Sequence, residues 1–127
     1  MERRIDLSKL NLDVAADAIA ARRPTWVASG LLVDAPTWMD NDVAWPAPLV
    51  TDRADVQRPR SLGIRLRGEG DVEAEFVLYA GGWADASWVL AGSTDPVNEY
   101  VELERAEEFV SLLDRVVVEL LGWPLIS

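Results

Sequence analysis

Apolar and polar residues alternate most regularly between Leu62 and Gly92. Leu62, Ile64 and Leu66 share one parity, with Gly63, Arg65 and Arg67 between them. Val72, Ala74, Phe76, Leu78 and Ala80 then share one parity against Glu73, Glu75, Val77 and Tyr79. A period of two over this length marks half-buried strands. Gly68, Glu69 and Gly70 are expected to form the turn between them, because glycine supplies the positive φ that tight hairpin loops need. That register sets Leu66 opposite Val72 and Ile64 opposite Ala74 on an apolar face. On the other face it sets Arg65 opposite Glu73 and Arg67 opposite Asp71, pairs worth about 0.2–1 kcal/mol each. A third strand follows a loop from Gly81 to Asp85, pairing Leu78 with Trp88, Phe76 with Leu90 and Val77 with Val89.

The period changes on either side of this block. Leu12, Ala15, Ala16 and Ile19 recur at helical spacing, with Asn11 placed as N-cap and Asp13 in the first turn. This predicts a helix over 12–23, stopped by Pro24. Before it, residues 5–10 read as a short extended lead-in. After it, Trp26, Val27 and Leu31 to Val33 read as one or two short strands interrupted near Ser29-Gly30. Residues 34–60 carry Pro36, Pro46, Pro48 and Pro59, with Trp38 and Trp45 around Asp40, Asn41 and Asp42. A loop of that length is uncommon inside a compact domain and is often functional; a short strand at Leu49-Val50 is the alternative. Val97, Glu99, Val101 and Leu103 offer a fourth strand hairpinned to the third, the competing reading being a helix capped by Asp95. From about Arg105 to Leu121, Ala106, Phe109, Leu112, Leu113, Val116, Val117 and Leu120 make a broad apolar helical stripe, closed by Gly122. The expected architecture is one α+β domain over 1–127. It is an antiparallel β-meander of about four to six strands packed by an N-terminal helix and a long C-terminal helix.

Composition narrows the chemistry. The 127 residues include no cysteine and no histidine. Disulfides and thiolate metal sites are therefore impossible, and the commonest general base and metal ligand are missing. The N-terminus, MERRIDLSKLNLD, lacks the apolar core of a signal peptide, and no apolar run approaches the ~20 residues of a membrane helix. A cytoplasmic protein is expected. Net charge is −10, and residues 71–127 hold 12 acids against 2 bases while the first seventy sum to zero. Such a field opposes nucleic acid and anionic membranes and attracts basic proteins.

No nucleophile stands out. Lys9 is the only lysine, and Ser29 lies outside any GxSxG elbow. Asp40-Asn41-Asp42 begins like a calcium loop, but Ala44 and Trp45 then occupy positions that need an oxygen ligand and a glycine. Neither Gly68-Glu69-Gly70 nor Gly81-Gly82 opens a helix as a phosphate cradle does. No catalytic residue, metal or cofactor is expected. What remains is aromatic: six tryptophans, of which Trp88 is core by strand parity while Trp38, Trp45 and Trp83 fall in expected loops. Exposed tryptophans serve as interface anchors. The candidate partner-binding set is Trp38, Asp40, Asp42, Trp45, Tyr79, Trp83 and Asp85.

The hairpin AGGWADASWVL and the closing apolar helix ending LGWP resemble one α+β family of bacterial immunity proteins, over about residues 62–124. The resemblance implies a non-enzymatic protein that covers the active site of a cognate toxin. It carries no binding residue across, and it leaves the oligomeric state open. A secretion chaperone-like domain is the related alternative. A small-molecule binder with a pocket between the sheet and the 34–60 loop is the unrelated one.

Overall fold

The computed structural model describes residues 6–44, 48–70 and 72–122. Its fold is α+β. One six-stranded antiparallel sheet is packed by two helices, α1 (Leu12–Ala28) near the N-terminus and α2 (Glu107–Leu121) near the C-terminus. The strands are β1 (Leu32–Val33), β2 (Thr37–Asp40), β3 (Pro59–Arg67), β4 (Glu73–Tyr79), β5 (Trp83–Val89) and β6 (Val97–Glu102). β3 to β6 form a meander, while β1 and β2 line the outer edge of β3 one after the other.

Strand parity decides which face is buried. Leu62, Ile64, Leu66, Ala74, Phe76, Leu78, Ala84, Ala86 and Trp88 all turn inward. Both helices pack on this side, touching each other as well as the sheet. The stripe of α2 meets it as expected, with Phe109 edge-on to Phe76 at 6.4 Å between ring centres. Glu108 accepts from the backbone N–H groups of Glu104 and Arg105, which steadies the start of α2. Gly122 ends it at φ 73°. A residue with a Cβ is disfavoured at that dihedral.

Pro24 does not stop α1. It sits inside the helix, which runs on for another turn through Trp26 and Val27, the residues expected to start a strand. A proline in a helix interior loses one hydrogen bond and costs ~3 kcal/mol. The extra turn is held by Trp26, which is fully buried and donates its indole N–H to Asp114 of α2 at 2.8 Å. Arg22 reaches the same carboxylate oxygen at 3.1 Å. Tertiary packing thus outweighs the local break. The lead-in is not extended either: residues 7–10 form a turn, pinned by the Leu10 N–H on the Ala80 carbonyl at 3.0 Å.

Both hairpins keep the expected faces but change register. In the first, Gly68 pairs with Val72 through an N–H···O bond of 2.9 Å, and Leu66 faces Ala74. The left-handed glycine is Gly70, so the loop begins one residue later than expected. Arg65 faces Glu75 yet still bonds Glu73 diagonally. Arg67 bonds Asp34 at 2.9 Å, while Asp71, its expected partner, lies outside the described residues. In the second hairpin Gly82 adopts φ 109° and donates to the Tyr79 carbonyl at 3.0 Å. This closes the chain in three residues, so Tyr79 pairs with Trp83, and Val77 with Asp85 rather than with Val89. At that φ any residue with a Cβ is strained, which leaves glycine the residue that fits.

Residues 34–60 are less irregular than expected. Beyond β2, Trp38 exchanges two backbone bonds with Val50, so the possible strand at Leu49-Val50 survives as a single bridge. A short 3-10 turn, Arg53–Asp55, follows. Among the described residues no helix is long and apolar enough to cross a membrane.

Candidate functional site

Both helices lie on one side, so neither packs on the opposite face of the sheet, where Val77, Tyr79 and Trp83 are half-buried. Its centre is a grid set by strand register. Tyr79, Trp83 and Glu102 stand side by side across β4, β5 and β6, followed by Val77, Asp85 and Tyr100, then Glu75, Ser87 and Asn98. The Tyr79 and Trp83 rings stack at 5.1 Å and 19°. The tight turn at Gly82 makes this possible by bringing both residues to the same level of the hairpin. Burial raises the Tyr79 phenol above its ordinary value, and the nearby Asp85 carboxylate adds to it; Arg60 acts in the opposite direction. Tyr79 therefore presents a neutral phenol over the physiological range.

Beside this row is a shallow depression of about 480 Å³, lined among others by Glu75, Val77, Asp85, Ser87, Asn98 and Tyr100. Its charges are unevenly placed. On the β3–β4 side, Arg65 and Arg67 are each already paired with a carboxylate. On the β5–β6 side, Asp85 and Glu102 face solvent with no cation on the same strands. That half offers aromatic surface next to the Asp85 and Glu102 carboxylates, the second of which accepts from the Tyr100 hydroxyl at 3.3 Å, a combination that suits Lys or Arg side chains.

The seven residues singled out from the sequence separate into different places. Tyr79, Trp83 and Asp85 come together on the open face, with Trp83 in a strand and not at the loop tip where it was expected. Trp38 turns inward and is 4% exposed, its ring covered by the Arg53 guanidinium at 5.3 Å. Arg53 is held in turn by Asp13 of α1 at 2.8 Å. Asp40 is 8% exposed and accepts from the backbone N–H groups of Gln57 at 2.9 Å, Asp42 at 2.9 Å and Arg58 at 3.3 Å. Its role is to hold the end of β2 to the start of β3. Asp42 pairs with Arg58 at 2.7 Å near the same edge. Trp45 lies outside the described residues. The residue that sequence reasoning passed over is Tyr100, 54% exposed at the rim of the grid. The signal was available: once Val97, Val101 and Leu103 are placed inward, Tyr100 must point outward.

The Asp40 cage has a measurable consequence. The N–H of Gln57 foremost, then that of Asp42, holds the Asp40 carboxyl below its ordinary value. A carboxylate whose folded pKa is depressed stabilises the fold above its unfolded value of about 4, and this contribution is lost as pH falls through the lower, folded value. Asp40→Asn is therefore expected to melt at a lower temperature than the parent at about pH 7, the gap closing below about pH 4. Melting temperatures measured across that range check it; a gap independent of pH would assign the effect to the amide's geometry instead.

Among the described residues no group of three Asp or Glu side chains is arranged to hold a metal ion. No family model matches this chain, and neither a curated protein nor a solved structure matches it.

Proposed function

We propose that this chain is a non-enzymatic, acidic protein-binding module that uses its open sheet face to cover a basic partner, in the manner of an immunity protein blocking a toxin domain in the bacterial cytoplasm. The observation that carries the reading is the stacked Tyr79–Trp83 pair beside Asp85, on a face that neither helix covers. Tyrosine and tryptophan are enriched among interface anchors, since they bury a large apolar area and keep a polar tip. The net charge of −10 favours encounter with a basic surface. Trp38 and Trp83 do not converge on one cavity: the first is in the core and the second is on the open face. This favours a flat protein interface over a small-molecule pocket. A depression of about 360 Å³ does lie between Leu49, Thr37 and Val77, where such a pocket was expected, but neither Trp38 nor Trp83 lines it.

The test is capture of a basic domain encoded in the adjacent upstream gene. Capture is expected to weaken as salt rises, because exposed charges are screened beyond about 8–10 Å. Trp83→Ala is expected to weaken it about 30-fold, the ~2 kcal/mol of an aromatic hot spot, with melting temperature little changed. Binding of a small ligand indifferent to both salt and this substitution would overturn the reading.

A further inference from the structure

Residues 6–10 meet the sheet at the end where its aromatic row lies. Asp6 sets a turn there: its carboxylate accepts from the Ser8 backbone N–H at 2.9 Å, and its carbonyl from the Lys9 N–H at 3.3 Å. Leu10 donates to the Ala80 carbonyl just past β4. The Lys9 side chain lies against the β4–β5 turn, its Cδ 2.7 Å from where a Cβ on Gly82 would stand. The Gly82 carbonyl in turn accepts from Leu103, the residue after β6, at 2.9 Å. Next to this turn stands the row Tyr79, Trp83 and Glu102. The inward side of this end is filled, because Leu10 belongs to the core and Leu7 packs against it. The open side carries Asp85 and Glu102, on two strands that hold no Lys or Arg. Trp83 and Tyr100 each hold an interaction beyond the ring stack and the hydroxyl bond, so the row is engaged rather than empty.

We propose that residues 1–5, with Arg3 and Arg4, dock on the β5–β6 half of the open face as a built-in basic ligand that a basic partner displaces. These residues lie outside the described ones, and reach and charge select them as the occupant. Five extended residues span about 17 Å. Crossing from β5 to β6 takes about 5 Å, and stepping from the Trp83–Glu102 row to the Asp85–Tyr100 row takes about 7 Å. A segment that starts from the turn at Asp6 therefore has the length to bring two guanidinium groups over both carboxylates. Other arginines are already committed: Arg22, Arg53, Arg58, Arg65, Arg67 and Arg115 each pair with a carboxylate elsewhere. Arg60 acts on the Tyr79 phenol from β3. Arginine also suits the surface itself, since its planar head stacks on aromatic rings and bonds carboxylates in a fork. Displacement rests on the basic-partner reading above. Docking of the segment does not.

The test uses the full chain. It has no cysteine, so Glu2→Cys offers a single site for a spin label. The label is expected to broaden the Trp83 indole N–H signal and the backbone amides of Asp85 and Tyr100. Adding Arg3→Glu and Arg4→Glu keeps the tether and reverses its charge, which is expected to reduce the broadening at Asp85 and Tyr100 about fivefold. Raising salt on the labelled chain with both arginines in place is expected to halve it roughly, by screening exposed charge, and this arm stands even if the charge-reversed variant misfolds. Broadening that ignores both changes would overturn the proposal, as would broadening equally strong at Gly68 to Gly70, the turn at the other end of β4. So would broadening passed to an unlabelled, isotope-enriched copy mixed with the labelled chain, which assigns the contact to a second molecule. Adding the basic domain of the capture experiment is expected to restore the Tyr100 signal, and a complex that keeps the broadening would overturn the displacement. If Trp83→Ala abolishes capture while the broadening ignores the arginines, the face reading stands and the docked segment falls. If the broadening depends on the arginines while Trp83→Ala leaves capture intact, the docked segment stands and the face reading falls.

Discussion

Trp26→Ala is expected to destabilise the fold by about 3–5 kcal/mol, the usual cost of deleting a fully buried aromatic ring. The ring is enclosed between α1 and the rest of the core, at 0% exposure. The substitution removes more than volume. Trp26 donates to the Asp114 carboxylate at 2.8 Å, an oxygen shared with Arg22 at 3.1 Å. With the ring gone, the last turn of α1 loses the contact that offsets Pro24, so Thr25 to Ala28 should fray as well. Urea unfolding measures the total. Trp26→Phe keeps an aromatic ring in the core but loses the N–H and part of the indole volume, so it should cost less than Trp26→Ala. A Trp26→Ala loss below about 1 kcal/mol would mean that α1 ends at Pro24 in solution.

The second large effect is expected at Phe109→Ala, also about 3–5 kcal/mol. Phe109 is fully buried and meets Phe76 edge-on, with the ring planes at 84°. Phe76 belongs to β4, which carries Val77 and Tyr79 on its other side. The contact thus braces from beneath the strand that presents the open face. Denaturant unfolding should show a lower midpoint with an unchanged slope, since the surface exposed on unfolding stays nearly the same. Binding of the basic partner should be retained wherever the variant remains folded. Trp83→Ala should behave in the opposite way, losing binding while keeping stability. A variant set in which the two properties fall together at both positions would contradict the separation of core face from open face.

That separation was visible in the alternation of Leu62 to Leu66 and Ala74 to Leu78, because the side chains of a strand point to opposite faces whatever its partner. The stripe of α2 was legible for the same reason: its spacing is a property of one continuous segment. Tyr79 followed from that parity, and Tyr100 could have been added by it, whereas Trp83 and Asp85 were expected in a loop and stand on the same face only because β5 begins at Trp83. The registers could not be obtained this way. A shift of two or four residues in the pairing sum preserves every face, so the hydrophobic pattern is indifferent to it. The choice fell to turn geometry at Gly70 and Gly82, and with it the stacking of Tyr79 on Trp83.

Residues 34–60 failed to yield their structure for a different reason. Trp38 and Asp40 look like exposed loop residues when read locally, among prolines and polar neighbours. Each is buried by groups distant in sequence: Arg53 over the Trp38 ring, and the N–H groups of Gln57 and Arg58 on Asp40. Pro24 makes the same point inversely, since its local penalty is outweighed by a tryptophan that finds Asp114 eighty-eight positions later. Periodicity within one segment therefore settled β3, β4, α2 and their inward faces, and composition settled the acidic excess of residues 71–127. Contacts across the fold settled the registers, the length of α1 and the separation of buried Trp38 from Trp83 on the open face, because those depend on partners that no local window contains.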